Sequence, residues 1–169
     1  MQSRRCLGVL VIAAILASVG CYSTDIALEP DDASLSSRAI GVWSFPSAGK
    51  SKAFTITIRT ADDKGRYHVE YGDGQKLIRG TATMIRIKDA TFVQVRPQKP
   101  DDPDTQERLM ARVSITDDGN LSIQQLNPYF FYPKRLTAPD HLQDLIERNL
   151  DNPEMYEGGW RTGTRAKAD

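Results

Sequence analysis

The chain has 169 residues, of which 40% are hydrophobic, with 22 basic and 22 acidic side chains. The length fits one domain with its own core. The balanced charge excludes the basic surface that binding to nucleic acid or to anionic lipid requires.

The first 21 residues have the layout of a secretory signal. Arg4 and Arg5 form a positive end, residues 7–19 are uncharged and largely apolar, and Gly20 precedes Cys21. The apolar run of 13 residues is shorter than the ~20 that a membrane-spanning helix needs. An uncleaved anchor and an ordinary signal that is cut elsewhere are the alternatives.

Residues 17–21, Ala-Ser-Val-Gly-Cys, resemble the lipobox of bacterial lipoproteins, in which a small residue precedes an obligatory Cys. The resemblance implies removal of residues 1–20 and lipidation of Cys21 with acyl chains such as palmitate. Tyr22 stands where an Asp would indicate retention in the inner membrane, so the resemblance implies an outer-membrane lipoprotein that faces the periplasm. Cys6 is removed with the signal, so no thiol remains for a disulfide.

Residues 21–39 are predicted to be the lipidated Cys and a flexible tether, because they contain Glu29-Pro30-Asp31-Asp32 and several serines without an apolar period. A folded domain is predicted over residues 40–164, followed by a disordered tail over 165–169.

The folded part alternates apolar and polar residues with a period of two, which is typical of half-buried strands. Gly80 and the adjacent Met84 and Ile85 suggest a bulge or a bend in one strand. The side chains predicted to face inward are those of Phe54, Ile56, Val69, Val93, Val113 and Ile115. The strands are predicted over residues 42–45, 54–59, 66–71, 77–87, 91–96, 108–116 and 121–125, with a short last strand at 159–164.

Short turns join most of these strands, so the prediction is an all-β, antiparallel meander that must close or be covered. One helix is predicted near 138–150, with Thr137 as its cap and Leu142, Leu145 and Ile146 on its apolar side. A closed barrel of about eight strands and an open, rolled sheet capped by the helix are both consistent with this pattern.

Gly41-Val42-Trp43 at the start of the strands, with a helix before the last strand, resembles the lipocalin-like (calycin-type) domains of bacterial lipoproteins that have no assigned function. The resemblance covers residues 41–161 and implies a small barrel whose mouth holds an apolar molecule. It also implies that an Arg near the end of the chain, at Arg161, packs over Trp43. The Thr-Asp-x-Tyr pattern of classical lipocalins is not matched at Thr116-Asp117-Asp118.

No catalytic residues, cofactor or metal site are predicted. His68 shares a polar strand face with Arg66 and Glu70, and His141 lies off the apolar stripe of the helix, so both are expected in solvent. The acidic loop of Asp101, Asp102, Asp104 and Glu107 does not have the spacing of a calcium-binding loop. Neither a nucleophile elbow nor a glycine-rich phosphate loop occurs.

The predicted ligand-binding residues are Trp43, Tyr67, Tyr129 and Phe131. The last two belong to an aromatic run, Tyr129-Phe-Phe-Tyr132, which is expected to close one end of the barrel or to rim a pocket or contact a partner. The sequence therefore favours a non-enzymatic binding module for a small apolar ligand, anchored to a membrane through Cys21. The alternative is a structural or interaction protein of the cell envelope, with a solid barrel that binds another protein. A nucleic-acid partner is not expected.

Overall fold

The computed structural model describes residues 22–29, 37–48, 52–60, 66–134 and 136–166. The predicted signal, the predicted lipidation site Cys21, residues 30–36 of the predicted tether and the last three residues of the predicted tail lie outside this set.

Nine strands lie in the described part of the chain, and their positions follow the alternating segments of the sequence. Their bounds are β1 Tyr22–Thr24, β2 Gly41–Phe45, β3 Phe54–Thr60, β4 Arg66–Gly72, β5 Leu77–Ile87, β6 Ala90–Pro97, β7 Arg108–Ile115, β8 Leu121–Leu126 and β9 Tyr156–Arg165.

Strands β2 to β9 form a closed antiparallel barrel of eight strands. Each strand from β2 to β8 pairs with the next along the chain, and β8 pairs with both β7 and β9. The barrel closes where β9 pairs with β2, at Trp43 opposite Arg165 and Ser44 opposite Thr164. Closure pairs all edges of the barrel strands, and it confirms the predicted fold class against the open, rolled sheet. The architecture is compatible with a lipocalin-like barrel.

The inward faces of the strands form one hydrophobic cluster, which contains all six side chains predicted to face inward. The predicted register is therefore confirmed. Of the bulge or bend predicted at Gly80, the bulge is wrong, because the pairing of β5 with β4 and with β6 runs through Gly80 without a shift. The irregular pattern at Met84 and Ile85 has another cause: Met84 faces the barrel interior, whereas Ile85 is buried on the outside.

A second hydrophobic cluster covers the outer face of β5, β6 and β7. The helix α1, Pro128–Phe131, and the helix α2, Pro139–Arg148, pack there. Helix α2 buries Leu142 and Ile146, which lie four residues apart and therefore on one face. Its N-cap is Ala138 and not the predicted Thr137, and the cap makes no side-chain hydrogen bond.

The start of the described chain differs from the predicted tether. Strand β1 pairs with the first three residues of β7, and Tyr22 stacks on Phe131 with 4.3 Å between ring centroids. The backbone N–H of Leu28 donates to Gln94 Oε1 at 3.0 Å, and Gln94 Nε2 donates to the carbonyl of Ile26 at 3.0 Å. The segment has few apolar residues. The stacked Tyr22 ring and the hydrogen-bonded polar groups nevertheless stabilise its packing against the barrel.

Within the described residues, no helix has both the length and the apolar character needed to cross a membrane.

Candidate functional site in the barrel interior

The barrel encloses a cavity of about 160 Å³. Its wall is almost entirely apolar and comes from strands β3 to β8. The lining residues are Phe54, Ile56, Ile58, Val69, Tyr71, Ile78, Arg79, Gly80, Ala82, Met84, Val93, Val95, Leu109, Met110, Ala111, Val113, Leu121, Ile123 and Gln125.

Small residues in the middle of the wall leave this space open. Ala82 on β5 lies between Tyr67 and Val95 of the neighbouring strands, and Ala111 on β7 lies between Val93 and Gln125. At Gly80 the small residue is required, because an added Cβ would lie 2.6 Å from the carbonyl oxygen of Arg96 and 2.8 Å from Val95. The barrel is therefore lined by its core residues without being filled by them.

The cavity opens at one end of the barrel. Inward residues near the end of β3, the start of β4 and the start of β8 are buried: Ile58, Tyr67 and Leu121. At the opposite end, Phe54 at the start of β3 and Leu109 near the start of β7 are only partly buried, although Phe45 at the end of β2 is buried there. The end with the partly buried residues is the open end, where β3, β5 and β7 begin and β4, β6 and β8 end. We call it the mouth.

The opposite, closed end contains Trp43, which is fully buried. Its indole Nε1–H donates to the carbonyl of Ala39 at 2.8 Å, which ties it to a 3-10 helix over Ser37–Ala39. The guanidinium carbon of Arg165 lies 5.0 Å from the Trp43 ring centroid, and Arg165 also donates to the carbonyl of Arg38. A cation over an indole face is stabilising, more so where water is excluded.

The expectation that Arg161 packs over Trp43 is therefore wrong, and Arg165 has that position. Arg161 pairs with Ile123 of β8, four residues earlier in β9, and its guanidinium lies 4.4 Å from the centroid of Phe54. It donates to the carbonyls of Pro46 at 2.7 Å and Lys52 at 3.3 Å. Arg161 and Arg165 are four positions apart on the same face of β9, so only the register of that strand shows which of them lies over Trp43.

The charges near the cavity lie at its rim. Arg79 lines the cavity but forms an ion pair with Glu70 at 3.0 Å, and its side chain is 61% exposed. The other polar groups of the lining are Gln125 and the hydroxyl of Tyr71. The interior thus suits an apolar occupant, because an unpaired charge or polar group would lose its hydration there.

The groups with perturbed pKa values lie away from the lining. Burial raises the pKa of Tyr22 and of Tyr156 on the outer face of the barrel. Burial, with the nearby Arg96, lowers the pKa of Arg108. Backbone N–H groups of the turn after β4 stabilise the Asp73 carboxylate and lower its pKa. Each shift has a structural cause, so none of them indicates an acid–base site in the cavity.

The four predicted ligand-binding residues do not line the cavity. Trp43 and Tyr67 belong to the interior cluster near the closed end. Phe131 is buried on the outside of the barrel, and Tyr129 is 83% exposed on α1. Their role in ligand binding stays a prediction. The sequence feature that corresponds to the cavity wall is the set of inward-facing positions along the strands, where small residues occur among large apolar ones.

The other candidate residues lie apart from the cavity. His68 and His141 are exposed on β4 and α2. In the acidic loop, Glu107 forms an ion pair with Lys99. Among the described residues, no group of three or more His, Cys, Asp or Glu side chains is placed to hold a metal ion.

No protein-family model, no curated protein and no solved structure matches this chain.

Proposed function

We propose that this protein is a lipid-anchored lipoprotein of the bacterial cell envelope whose lipocalin-like barrel binds a small apolar ligand without transforming it. The observation that carries the proposal is the cavity of about 160 Å³ with a nearly continuous hydrocarbon wall. Apolar surface that leaves water for such a wall contributes roughly 25 cal/mol per Å².

The size of the cavity limits the enclosed part of the ligand. An engineered cavity of about 150 Å³ lined by Leu, Ile and Phe binds benzene or xenon. The interior of this barrel therefore suits a single ring or a segment of one acyl chain. A longer chain would leave through the mouth, between Phe54 and Leu109, with its polar end near the rim charges of Arg79 and Glu70.

The composition of the wall supports binding rather than catalysis. Its side chains are hydrocarbon apart from two thioethers, an amide, a phenol and a paired guanidinium at the rim. Nucleophilic and general acid–base catalysis mostly use Ser, Cys, Thr, His, Asp, Glu or Lys side chains, and the lining contains none of these types.

The location of the protein is proposed from its first 21 residues. Removal of residues 1–20 would leave lipidated Cys21 as the first residue, in the outer membrane with the barrel in the periplasm. Several acyl chains, at about 0.8 kcal/mol per buried methylene, give a stable attachment.

The first test is native mass spectrometry of the protein purified from its own host, followed by organic extraction. A stoichiometric apolar molecule in the barrel is the expected result. A fluorescent fatty acid then tests the location, with Val113→Trp to fill the cavity and Ser114→Trp as the control. Val113 faces inward and Ser114 outward on the same strand. Loss of fluorescence in the first variant alone supports the proposal. A barrel that is empty and does not bind the probe would refute it.

A further inference from the structure

The structure leaves very little chain between the predicted lipid and the barrel. Tyr22 is buried, pairs with Met110 and stacks on Phe131. A peptide bond joins Cys21 to Tyr22, so their Cα atoms are about 3.8 Å apart. The flexible tether expected from the sequence would have allowed roughly 20–25 Å and any orientation. Attachment at Cys21 instead fixes one side of the barrel close to the bilayer.

The attached side is the mouth end. Strand β1 pairs with Arg108–Met110, the first three residues of β7, and β7 begins at the mouth. Because β1 is antiparallel to β7, the chain runs toward the mouth from Tyr22 to Thr24. Tyr22, the described residue next to the predicted lipid, lies opposite Met110 and, at a rise of about 3.3 Å per residue, about 7 Å from the start of β7 along the strand. It therefore lies beside the half of β7 that is nearer the mouth. Helix α1 follows the end of β8 directly, so it lies at the same end.

Exposed hydrophobic side chains are concentrated at this end. Of the five large hydrophobic residues that are exposed in the described part of the chain, three lie there: Leu77 at 57%, Tyr129 at 83% and Tyr132 at 58%. Leu77 begins β5, and the ring of Tyr132 lies 5.9 Å from that of Tyr22. Tyrosine is enriched where membrane and water meet, since its ring is apolar and its hydroxyl stays hydrated.

The charges of the mouth end are mixed. Lys76, Lys99 and Lys134 lie there with Asp73 and the acidic loop of residues 101–107. A surface of mixed sign has little attraction for anionic lipid headgroups. Its contact with a bilayer therefore depends on aromatic and aliphatic burial and on the lipid anchor, and salt should change it little.

We propose that the mouth of the barrel faces the bilayer, with Leu77, Tyr129 and Tyr132 in contact with the membrane interface. This inference rests on the proposed lipidation of Cys21. It makes the membrane the source or destination of the ligand, because an acyl chain moves between bilayer and cavity without crossing the periplasm.

The test uses the full lipidated protein in phosphatidylcholine vesicles. Lipidation blocks the Cys21 thiol and the signal carries Cys6 away, so an introduced cysteine is the single reactive thiol. Leu77→Cys and Tyr129→Cys place an environment-sensitive fluorophore at the mouth, and Asp118→Cys places it at the opposite end, in the exposed turn between β7 and β8. All three positions are exposed, so the variants are expected to fold, which circular dichroism checks.

We expect a blue shift, quenching by lipid-borne nitroxide and loss of quenching by aqueous iodide at positions 77 and 129, with the reverse at 118. Flotation of the protein with the vesicles is measured in the same samples. If the protein floats but the mouth labels stay in water, the orientation is refuted while the anchor stands, and the aromatic surface is free for another partner such as a protein. If it does not float, the anchor and this inference fail together. Binding of the fluorescent fatty acid is measured separately, so either failure is distinct from failure of the cavity.

Discussion

Filling the cavity by one side chain should stabilise this protein, which is the opposite of what enlarging a core residue usually does. Ala111 faces the cavity from the middle of β7, opposite Val93 and Gln125. The change Ala111→Ile adds three carbon groups, worth about 2.4 kcal/mol at ~0.8 kcal/mol each when they are buried. Ordering the isoleucine side chain costs about 0.5–1 kcal/mol, so the net gain is about 1.5 kcal/mol.

The assay is denaturant unfolding of the lipid-free domain, followed by tryptophan fluorescence. A gain of this size would raise the melting temperature by about 3–6 °C for a domain of this length. The same variant should bind the fluorescent fatty acid more weakly, because it occupies the same volume.

Gly163→Ala is the matched control in a filled part of the interior. A Cβ at position 163 would lie 2.7 Å from the ring of Phe45, so this change should destabilise the protein by about 1–3 kcal/mol. If Ala111→Ile is destabilising to a similar degree, the wall at Ala111 has no free space and the argument for a ligand cavity is wrong.

Further predictions concern the contacts around the barrel. Arg165→Met removes the cation from the face of Trp43 and should lower the free energy of unfolding by about 1–3 kcal/mol. Arg148→Met, which removes an exposed ion pair within α2, should cost at most about 0.5 kcal/mol in the same unfolding assay. Gln94→Met removes both hydrogen bonds to residues 26–28, so amide hydrogen exchange in that segment should become faster while exchange in the barrel strands stays slow. The raised pKa of Tyr22 means that the folded state holds the phenolic proton more tightly than the unfolded chain does, so this contribution to stability is complete below pH 10 and is lost as pH rises through the folded pKa. Tyr22→Phe should make the loss of stability above pH 10 shallower in pH-dependent unfolding, and an unchanged slope would contradict the assignment.

The sequence predicted the barrel well because each strand carries its own evidence. Alternation along β3, β4 and β7 places one apolar row on each strand, and short turns leave antiparallel pairing as the simple solution. Closure could not be deduced, because it depends on pairing between β2 and β9, which are far apart in the chain.

The candidate site was harder to predict for a physical reason. The inward-facing residues of a strand have the same apolar sequence pattern whether the space beside them is filled or empty. The pattern therefore identified the residues of the wall but not the presence of a cavity. Two of the four aromatic residues chosen as ligand contacts, Trp43 and Phe131, are instead among the most completely buried residues of the described chain. The ordering of Tyr22–Thr24 was missed because three residues have too little pattern, and their partner β7 lies more than 80 positions away.

The pairing of β9 with β2 has a consequence for how this protein reaches its final state. Trp43 meets Arg165, which lies 122 positions later in the chain, only after the intervening strands have folded or remained open. Joining such distant segments carries a loop-closure cost and slows folding. Until β9 arrives, β2 and β8 are exposed edges that can pair with other chains. A chain of this design therefore depends on protection of these edges while it folds, and chaperones that hold open strands should raise its yield.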